Sequence, residues 1–299
     1  MAKVNKKNFG GPWTVEKLDC IEKFLKAYSN IFKLGSKGAR FETSYVDGFV
    51  GSGESKACTS IDSDADQLFC MQAQLYESSA KRALDLVHPF DKYYFIDIDN
   101  SKLQKLNKIK QEYPHLSSKL FLFSQDANEF MIDFCDSFNN SYERAVVFLD
   151  PYAMQVKWKT VEIIGRTKGI DLWWLAPIGV APLRLLKRNR LPESIYSGKL
   201  DEMFGTQTWK DRFYTTDEPL ALFEQRPRTV RSADWKIVVS FLVERLKTTF
   251  NCVLEDPLVL MNRNNNPMYA LCYASQNMTG LRIAKDIVSK KKRESTYVS

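Results

Sequence analysis

Ser44-Tyr45-Val46-Asp47-Gly48-Phe49-Val50-Gly51-Ser52-Gly53 is the stretch on which the reading of the chain turns. Its β-prone start runs into an acid and then into a glycine-rich turn. A chain leaves the first strand of an open α/β sheet in this way, at the rim where ligands settle. Gly48, Gly51 and Gly53 accept backbone angles that other residues avoid and let a ligand approach the main chain. Asp47, at the strand's carboxyl end, is placed to meet a positively charged group. A strand followed by a flexible turn explains the same residues, and a glycine cluster alone is a weak signal. Its weight comes from three later strands that also end in acids.

Tyr93-Tyr94-Phe95-Ile96-Asp97-Ile98-Asp99 predicts the second strand, and Leu103, Leu106 and Ile109 mark a helix after it. Leu120 to Phe123 predicts the third, ended by Ser124-Gln125-Asp126-Ala127-Asn128, with a helix around Phe130 to Phe138. Ala145 to Leu149 is nearly continuous apolar sequence, as a central parallel strand covered on both faces requires, and it stops at Asp150-Pro151-Tyr152. A helix around Trp158 to Thr167 leads to a fifth strand, Ile170 to Leu175. Strand and helix alternate, which predicts a doubly wound, mostly parallel, Rossmann-like α/β sheet.

The flanks complete the plan. Trp13 to Phe32 carries Leu18, Ile21, Phe24, Leu25 and Tyr28 at helical spacing after Thr14 as N-cap, so residues 12–36 read as an N-terminal helical extension covering the sheet. Glu54 to Asp66 is polar; its Asp62, Asp64 and Asp66 lack the turn glycine and terminal glutamate of a calcium loop, and the segment reads as a surface excursion. A helix resumes from Gln67 to Val87. Between Gly179 and Ser232, Arg184, Lys187, Arg188 and Arg190 interleave with Tyr196, Phe204, Trp209, Phe213 and Tyr214, which predicts a helical insertion or lid over 179–232. A helix from Asp234 to Phe250 follows. Cys252 to Leu260 and Met268 to Ala274, separated by Asn262-Arg263-Asn264-Asn265-Asn266-Pro267, predict an antiparallel hairpin at the sheet edge. Nothing marks a linker, so residues 1–299 read as a single domain.

Composition narrows the function classes. A hydrophobic content of 44% with 26% charged residues is that of a soluble globular chain with a substantial core. The net charge of +7 tilts the partner toward polyanions. Cys20, Cys58, Cys70, Cys135, Cys252 and Cys272 form no Cys-x-x-Cys pair, so no zinc ribbon or self-contained iron–sulfur site is expected, and no metal. The first residues lack the apolar core of a secretion signal and no apolar run is long enough for a bilayer, which points to the cytoplasm and free thiols. His88 and His115 lie in no ligand or triad pattern, which argues against histidine-based nucleophilic catalysis.

Asp47, Asp97, Asp126 and Asp150 therefore end four successive strands along one rim. An acid at the end of the second strand suits both hydroxyls of a ribose, with Ile98 beside it. Asp126 with the Ala127 amide suits an adenine edge, and the turn of Gly48, Phe49, Gly51 and Gly53 suits what the adenosine carries. S-adenosylmethionine fits better than a dinucleotide. The turn lacks the Gly-x-Gly-x-x-Gly that opens a helix toward a pyrophosphate, and Asp47 suits an ammonium. Each aspartate alone is also what a helix cap needs. In Asp150-Pro151-Tyr152, a carboxylate and a backbone carbonyl accepting the hydrogens of an exocyclic NH₂ raise electron density on that nitrogen, which can then attack a sulfonium methyl. Tyr152 can stack on a flipped base. Pro151 ending a strand and Tyr152 packing in the core is the plainer alternative.

Asp-Gly-Phe-Val-Gly-Ser-Gly and Asp150-Pro151-Tyr152 resemble the cofactor and catalytic motifs of class I S-adenosylmethionine-dependent methyltransferases that act on base amino groups. From about residue 12 to 288 the chain more closely resembles the three-Cys-motif partner (TcmP) family. The matching stretches are Pro12-Trp13-Thr14 with Lys17-Leu18, Tyr45 to Phe49, Phe95 to Asp99, Asp150-Pro151-Tyr152-Ala153-Met154, Asp171-Leu172-Trp173, and Phe204-Gly205-Thr206 with Trp209. The resemblance implies a methyltransferase-like fold and a partner with three clustered cysteines, similar to radical S-adenosylmethionine iron–sulfur proteins and associated with mobile elements. The adenine-N6 pattern has two prolines before its aromatic; here Tyr152 replaces the second proline and Ala153 the aromatic. Asp-Pro-aromatic is also similar to enzymes methylating the guanine amino group in tRNA, so the base stays open between the two. On this reading Asp150, Pro151 and Tyr152 are catalytic; Asp47, Gly48, Phe49, Gly51, Gly53, Asp97, Ile98, Asp126 and Ala127 hold the cofactor; Arg184, Lys187, Arg188 and Arg190 meet nucleic acid. A partner module that keeps the fold and transfers no methyl is the alternative.

Overall fold

A computed structural model of the chain describes residues 12–35, 38, 40–50, 79–100, 107, 110–217, 228–262 and 264–296. Gly51, Gly53, the Glu54 to Asp66 excursion, most of the predicted Gln67 to Val87 helix and the Leu103, Leu106 and Ile109 that marked a helix after the second strand lie outside the described residues, while residues 107 and 110–112 are helical. No helix among the described residues is long and apolar enough to cross a membrane.

Helix α1 (Pro12–Leu34) leads into strand β1 (Glu42–Asp47), and a helical segment at 79–84 precedes β2 (Lys92–Ile96). A 3₁₀ turn (Pro114–Lys119), β3 (Leu120–Phe123), α2 (Ala127–Ser137), β4 (Glu143–Leu149), α3 (Trp158–Arg166) and β5 (Ile170–Pro177) follow. Then come α4 (Pro182–Leu185), α5 (Ser194–Phe204), α6 (Trp209–Phe213) and a two-stranded ribbon of β6 (Tyr214–Asp217) with β7 (Arg228–Arg231). The chain closes with α7 (Trp235–Lys247), β8 (Cys252–Val253), β9 (Leu258–Met261), β10 (Pro267–Ser275) and α8 (Met278–Thr296).

The main sheet runs β3-β2-β1-β4-β5-β10-β8, with β9 also on β10. Strands β1 to β5 pair in parallel, and β10 is antiparallel to β5, β8 and β9. The expected doubly wound sheet and C-terminal hairpin are both present. Strand order runs outward from β1 to β3 and then returns to β4 on the other side of β1. That reversal opens a crevice at the carboxyl ends of β1 and β4.

Pleat alternation divides the core in two. Val46, Val147, Leu149, Leu172 and Trp174 face α2, α3, α5, α6 and α7. Tyr45, Phe95, Val146, Phe148, Trp173 and Leu175 face the stripe of Ile21, Phe24, Leu25 and Tyr28 on α1 and Ala284 and Val288 on α8. Strand β5 is buried along its whole length, as a strand covered on both sides must be.

Three features differ from the sequence expectation. Helix α1 starts at Pro12, so Thr14 lies within the first turn and is not its N-cap. Residues 179–232 contain the β6–β7 ribbon besides short helices. In that segment Phe204, Trp209 and Phe213 are fully buried while Arg184, Lys187, Arg188 and Arg190 are exposed, so the expected interleaving separates into a core and a charged surface. The cause is edge-to-face packing of Phe204 and Phe213 on each other and on Phe241 of α7, with centroids 5.2–5.6 Å apart. Gly205 ends α5 with φ +64°, and a Cβ there would lie 2.0 Å from Cδ1 of Trp158.

Candidate active site at the sheet reversal

The described part of the glycine turn is pinned on both sides. Gly48 N–H donates to the Phe148 carbonyl at 3.0 Å, and Val50 N–H donates to the Ile96 carbonyl at 2.9 Å. The turn thereby bridges the ends of β4 and β2 across β1. A Cβ on Gly48 would stand 2.7 Å from Cδ2 of Leu149 and 3.7 Å from the Ala127 Cβ, so turn, β4 and the start of α2 meet here. Phe49 is half-buried against the core.

Register decides where the acids go. Asp47 lies opposite Phe95 and Phe148, and Asp97 and Asp150 each stand two residues beyond those positions. A two-residue step keeps a side chain on the same face. Asp47, Asp97 and Asp150 therefore leave the sheet toward α1, and all three are buried.

Asp47 Oδ2 accepts hydrogen bonds from Ser79 Oγ at 3.0 Å and Tyr45 Oη at 3.4 Å, and Oδ1 accepts one from Phe49 N–H at 3.5 Å. Its carboxyl is pushed up to about 7, by burial first and by the facing Asp150 second, against the pull of Ser79, Phe49 and Lys17. Asp150 Oδ2 accepts from Lys17 Nζ at 2.6 Å, and the two side chains are 3% and 1% exposed. Cutting one member from a buried ion pair costs about 3–5 kcal/mol, because the other charge is left in an apolar site. Lys17 also lies 6.0 Å from the centroid of the Phe148 ring.

Asp97 Oδ1 accepts from Asp99 N–H at 2.8 Å, and the Asp97 N–H donates to the Phe123 carbonyl at 3.2 Å, which fixes the turn after β2. Ile98 beside it is 72% exposed, an aliphatic surface at the rim. Asp126 caps α2, with Oδ1 accepting from the N–H groups of Asn128 and Glu129. Ala127, the first residue of α2, is buried. Pro151 is buried, whereas Tyr152 is 42% exposed and does not pack in the core. Ala153 after it has φ +59°, a left-handed turn that directs the segment back toward α3.

Sequence reasoning passed over three residues that organise this rim. Asn128 donates to Asp126 Oδ1 and the Gln155 carbonyl, and accepts from Lys157 N–H and Thr160 Oγ1, so it ties the β3–α2 junction to the segment after Asp150. Ser79 holds Asp47. Lys17 holds Asp150, and a signal for it was present: with Ile21, Phe24 and Tyr28 it falls on the apolar stripe of α1, where a lysine needs a buried acid.

The exposed Arg184, Lys187, Arg188 and Arg190 follow the carboxyl end of β5, and Leu183, Leu185 and Leu186 among them pack in the core on the face away from α1. Arg190 pairs with Glu193 at 3.8 Å, and Leu191 and Ile195 are exposed among them.

No protein-family model matches the sequence, and no curated protein matches it. Solved structures it is similar to include a Listeria monocytogenes protein described as an S-adenosylmethionine-dependent methyltransferase (12% identity, 85% of this chain and 99% of that chain covered, TM-score 0.36). An rRNA methylase from Streptococcus thermophilus is another (12% identity, 70% and 91% covered, TM-score 0.30). A third is magnesium protoporphyrin IX methyltransferase from Synechocystis PCC 6803 with bound SAM (10% identity, 71% and 80% covered, TM-score 0.26). Strand order and register, rather than these overlaps, define the fold.

Proposed function

We propose that the chain is an S-adenosylmethionine-dependent methyltransferase acting on an exocyclic amino group of a nucleic-acid base, adenine N6 in the first place, together with a three-Cys-motif iron–sulfur partner. One observation carries the reading: Asp47, Asp97 and Asp150 emerge on one face of the sheet at the rim where strand order reverses. The resemblance to the three-Cys-motif partner family supports the partner.

The donor set fits the cofactor. Asp47 suits its ammonium, Asp97 its ribose hydroxyls and Ile98 the face of its ring. Asp126 and Ala127 suit the adenine edge, and the glycine-rich stretch of Gly48, Phe49, Gly51 and Gly53 suits what the adenosine carries. When bound, the cofactor supplies a methyl group on an electrophilic sulfonium. Asp150 and the Pro151 carbonyl accept the hydrogens of the target amine, and the exposed Tyr152 ring stacks on the base. Arg184, Lys187, Arg188 and Arg190 neutralise backbone phosphates.

A non-catalytic module is the second reading, favoured by the Lys17–Asp150 pair, since a buried ion pair also serves as a pin between helix and sheet. Calorimetry tests the common part: S-adenosylmethionine and its demethylated product bind the wild type, and Asp97→Ala weakens both. No heat of binding at millimolar ligand overturns the cofactor assignment. Methyl transfer to DNA and RNA, measured with and without the partner, separates enzyme from module.

A further inference from the structure

We propose that Lys17 is a positioning residue, the fixed countercharge that lets two facing carboxylates, Asp47 and Asp150, stand ionised together at the rim. The inference rests on the cofactor and amine roles given to those aspartates, and it adds α1 to the machinery.

Geometry comes first. Lys17 is 1% exposed, on the stripe of α1 that packs against the sheet, and its Nζ is 2.6 Å from Asp150 Oδ2. Asp47 and Asp150 end neighbouring parallel strands on the same face, so the Asp150 carboxylate disfavours ionisation of Asp47. Among the described residues, the groups facing Asp47 come from each element packed around it. Tyr45 lies on its own strand, Ser79 on the 79–84 segment, Asp150 after β4 and Lys17 on α1. Tyr93 and Asp97 come from β2 and its end, on the same face. Among these described groups Lys17 carries the positive charge. Ser79 and Tyr45 supply dipoles, which orient a carboxylate without balancing it.

Two acids sharing a dry site ionise together only when a cation is fixed beside them. A cofactor ammonium needs Asp47 charged, and a target amine needs an accepting carboxylate at Asp150. Lys17 serves both by holding Asp150 directly and lowering the cost of charge on Asp47. The carboxyl of Asp47 already sits near neutrality with the lysine in place. Without it, the Asp47 carboxyl loses a countercharge and moves further up.

The experiment is a pH titration of the full chain labelled with ¹³C at aspartate carboxyls, with the Asp47 signal assigned through Asp47→Asn. In Lys17→Met the Asp47 midpoint moves up by about one pH unit or more. Binding of the demethylated cofactor at neutral pH weakens about fivefold or more and recovers at alkaline pH. Asp150→Asn alone, which leaves the lysine facing Asp47, moves the midpoint down, and Lys17→Met/Asp150→Asn brings it back below that of Lys17→Met. If Lys17→Met does not fold, the comparison of wild type with Asp150→Asn and the double variant decides the point. A lowered melting temperature with an unmoved Asp47 midpoint makes Lys17 a structural pin and overturns the proposal. Midpoints that move in a protein binding neither form of the cofactor uphold the countercharge and overturn the cofactor reading instead.

Discussion

Asp47→Asn should stabilise the protein while removing its function, and the size of the gain depends on pH. Burial and the facing Asp150 raise the carboxyl from 3.8 to about 7 in the folded chain. Between about pH 4 and 7 the folded state holds a proton that the unfolded state has released. The stability this represents is fully present below the unfolded value, falls as pH rises through the window, and is gone above about 7. A difference of about 3 pH units is worth about 4 kcal/mol at 1.36 kcal/mol per unit. Asparagine keeps an acceptor for Ser79 and Tyr45, and loses the long contact from Phe49 N–H, for which about 1 kcal/mol is deducted. The net gain at pH 8 is about 3 kcal/mol, or an upward shift in melting temperature of roughly 5–10 °C. At pH 4 that gain has nearly gone, and the variant should melt level with the wild type or be up to about 1 kcal/mol less stable. Asp171, whose carboxyl burial pushes up to about 6, adds a slope of the same sign to both proteins and cancels in the difference. Unfolding followed at pH 4, 6 and 8 reads the effect. A gap that does not change with pH, or a variant less stable than wild type at pH 8, refutes the account of this carboxylate.

Other substitutions probe separate parts of the account. Gly205→Ala forces a side chain into a left-handed turn and onto the Trp158 ring, beneath the Arg245 guanidinium 4.6 Å away; a cost of about 3 kcal/mol is expected in urea unfolding, and a loss under 1 kcal/mol would contradict that geometry. Asp126→Ala removes the α2 cap at about 1 kcal/mol. If Asp126 also reads adenine, the cofactor's thermal shift shrinks; an unchanged shift leaves it a cap alone. Replacing Arg184, Lys187, Arg188 and Arg190 with Ser should flatten the slope of log affinity against log salt for nucleic acid, and an unchanged slope returns those charges to solvated surface.

What the sequence disclosed and what it hid have physical causes. Strands β1 to β4 announce themselves because apolar runs such as Ala145 to Leu149 end in acids, and period and punctuation are local properties. β3 is found at the predicted bounds, Leu120 to Phe123. The C-terminal hairpin is legible from its Asn-rich turn. The Lys17–Asp150 pair joins residues 133 positions apart, and no local pattern contains it. Its helical half was visible only as a lysine on an apolar stripe. The burial of Phe204, Trp209 and Phe213 depends on α7 arriving from later in the chain, so their spacing among cations read only as a helical insertion or lid. The β6–β7 ribbon, four residues in each strand, is too short to show a period.

Transfer of labelled methyl from S-adenosylmethionine to nucleic acid, by folded wild type and folded Asp150→Ala with the three-Cys-motif partner present, tests the central claim most directly. The account predicts transfer by the wild type. It predicts a loss of about 10²-fold or more in Asp150→Ala, because the missing contact is to the reacting nitrogen and counts most in the transition state. Affinity for the demethylated cofactor should hold or tighten, and Asp150→Asn, which retains an acceptor oxygen, should be milder. Transfer at the wild-type rate by folded Asp150→Ala would contradict the catalytic assignment.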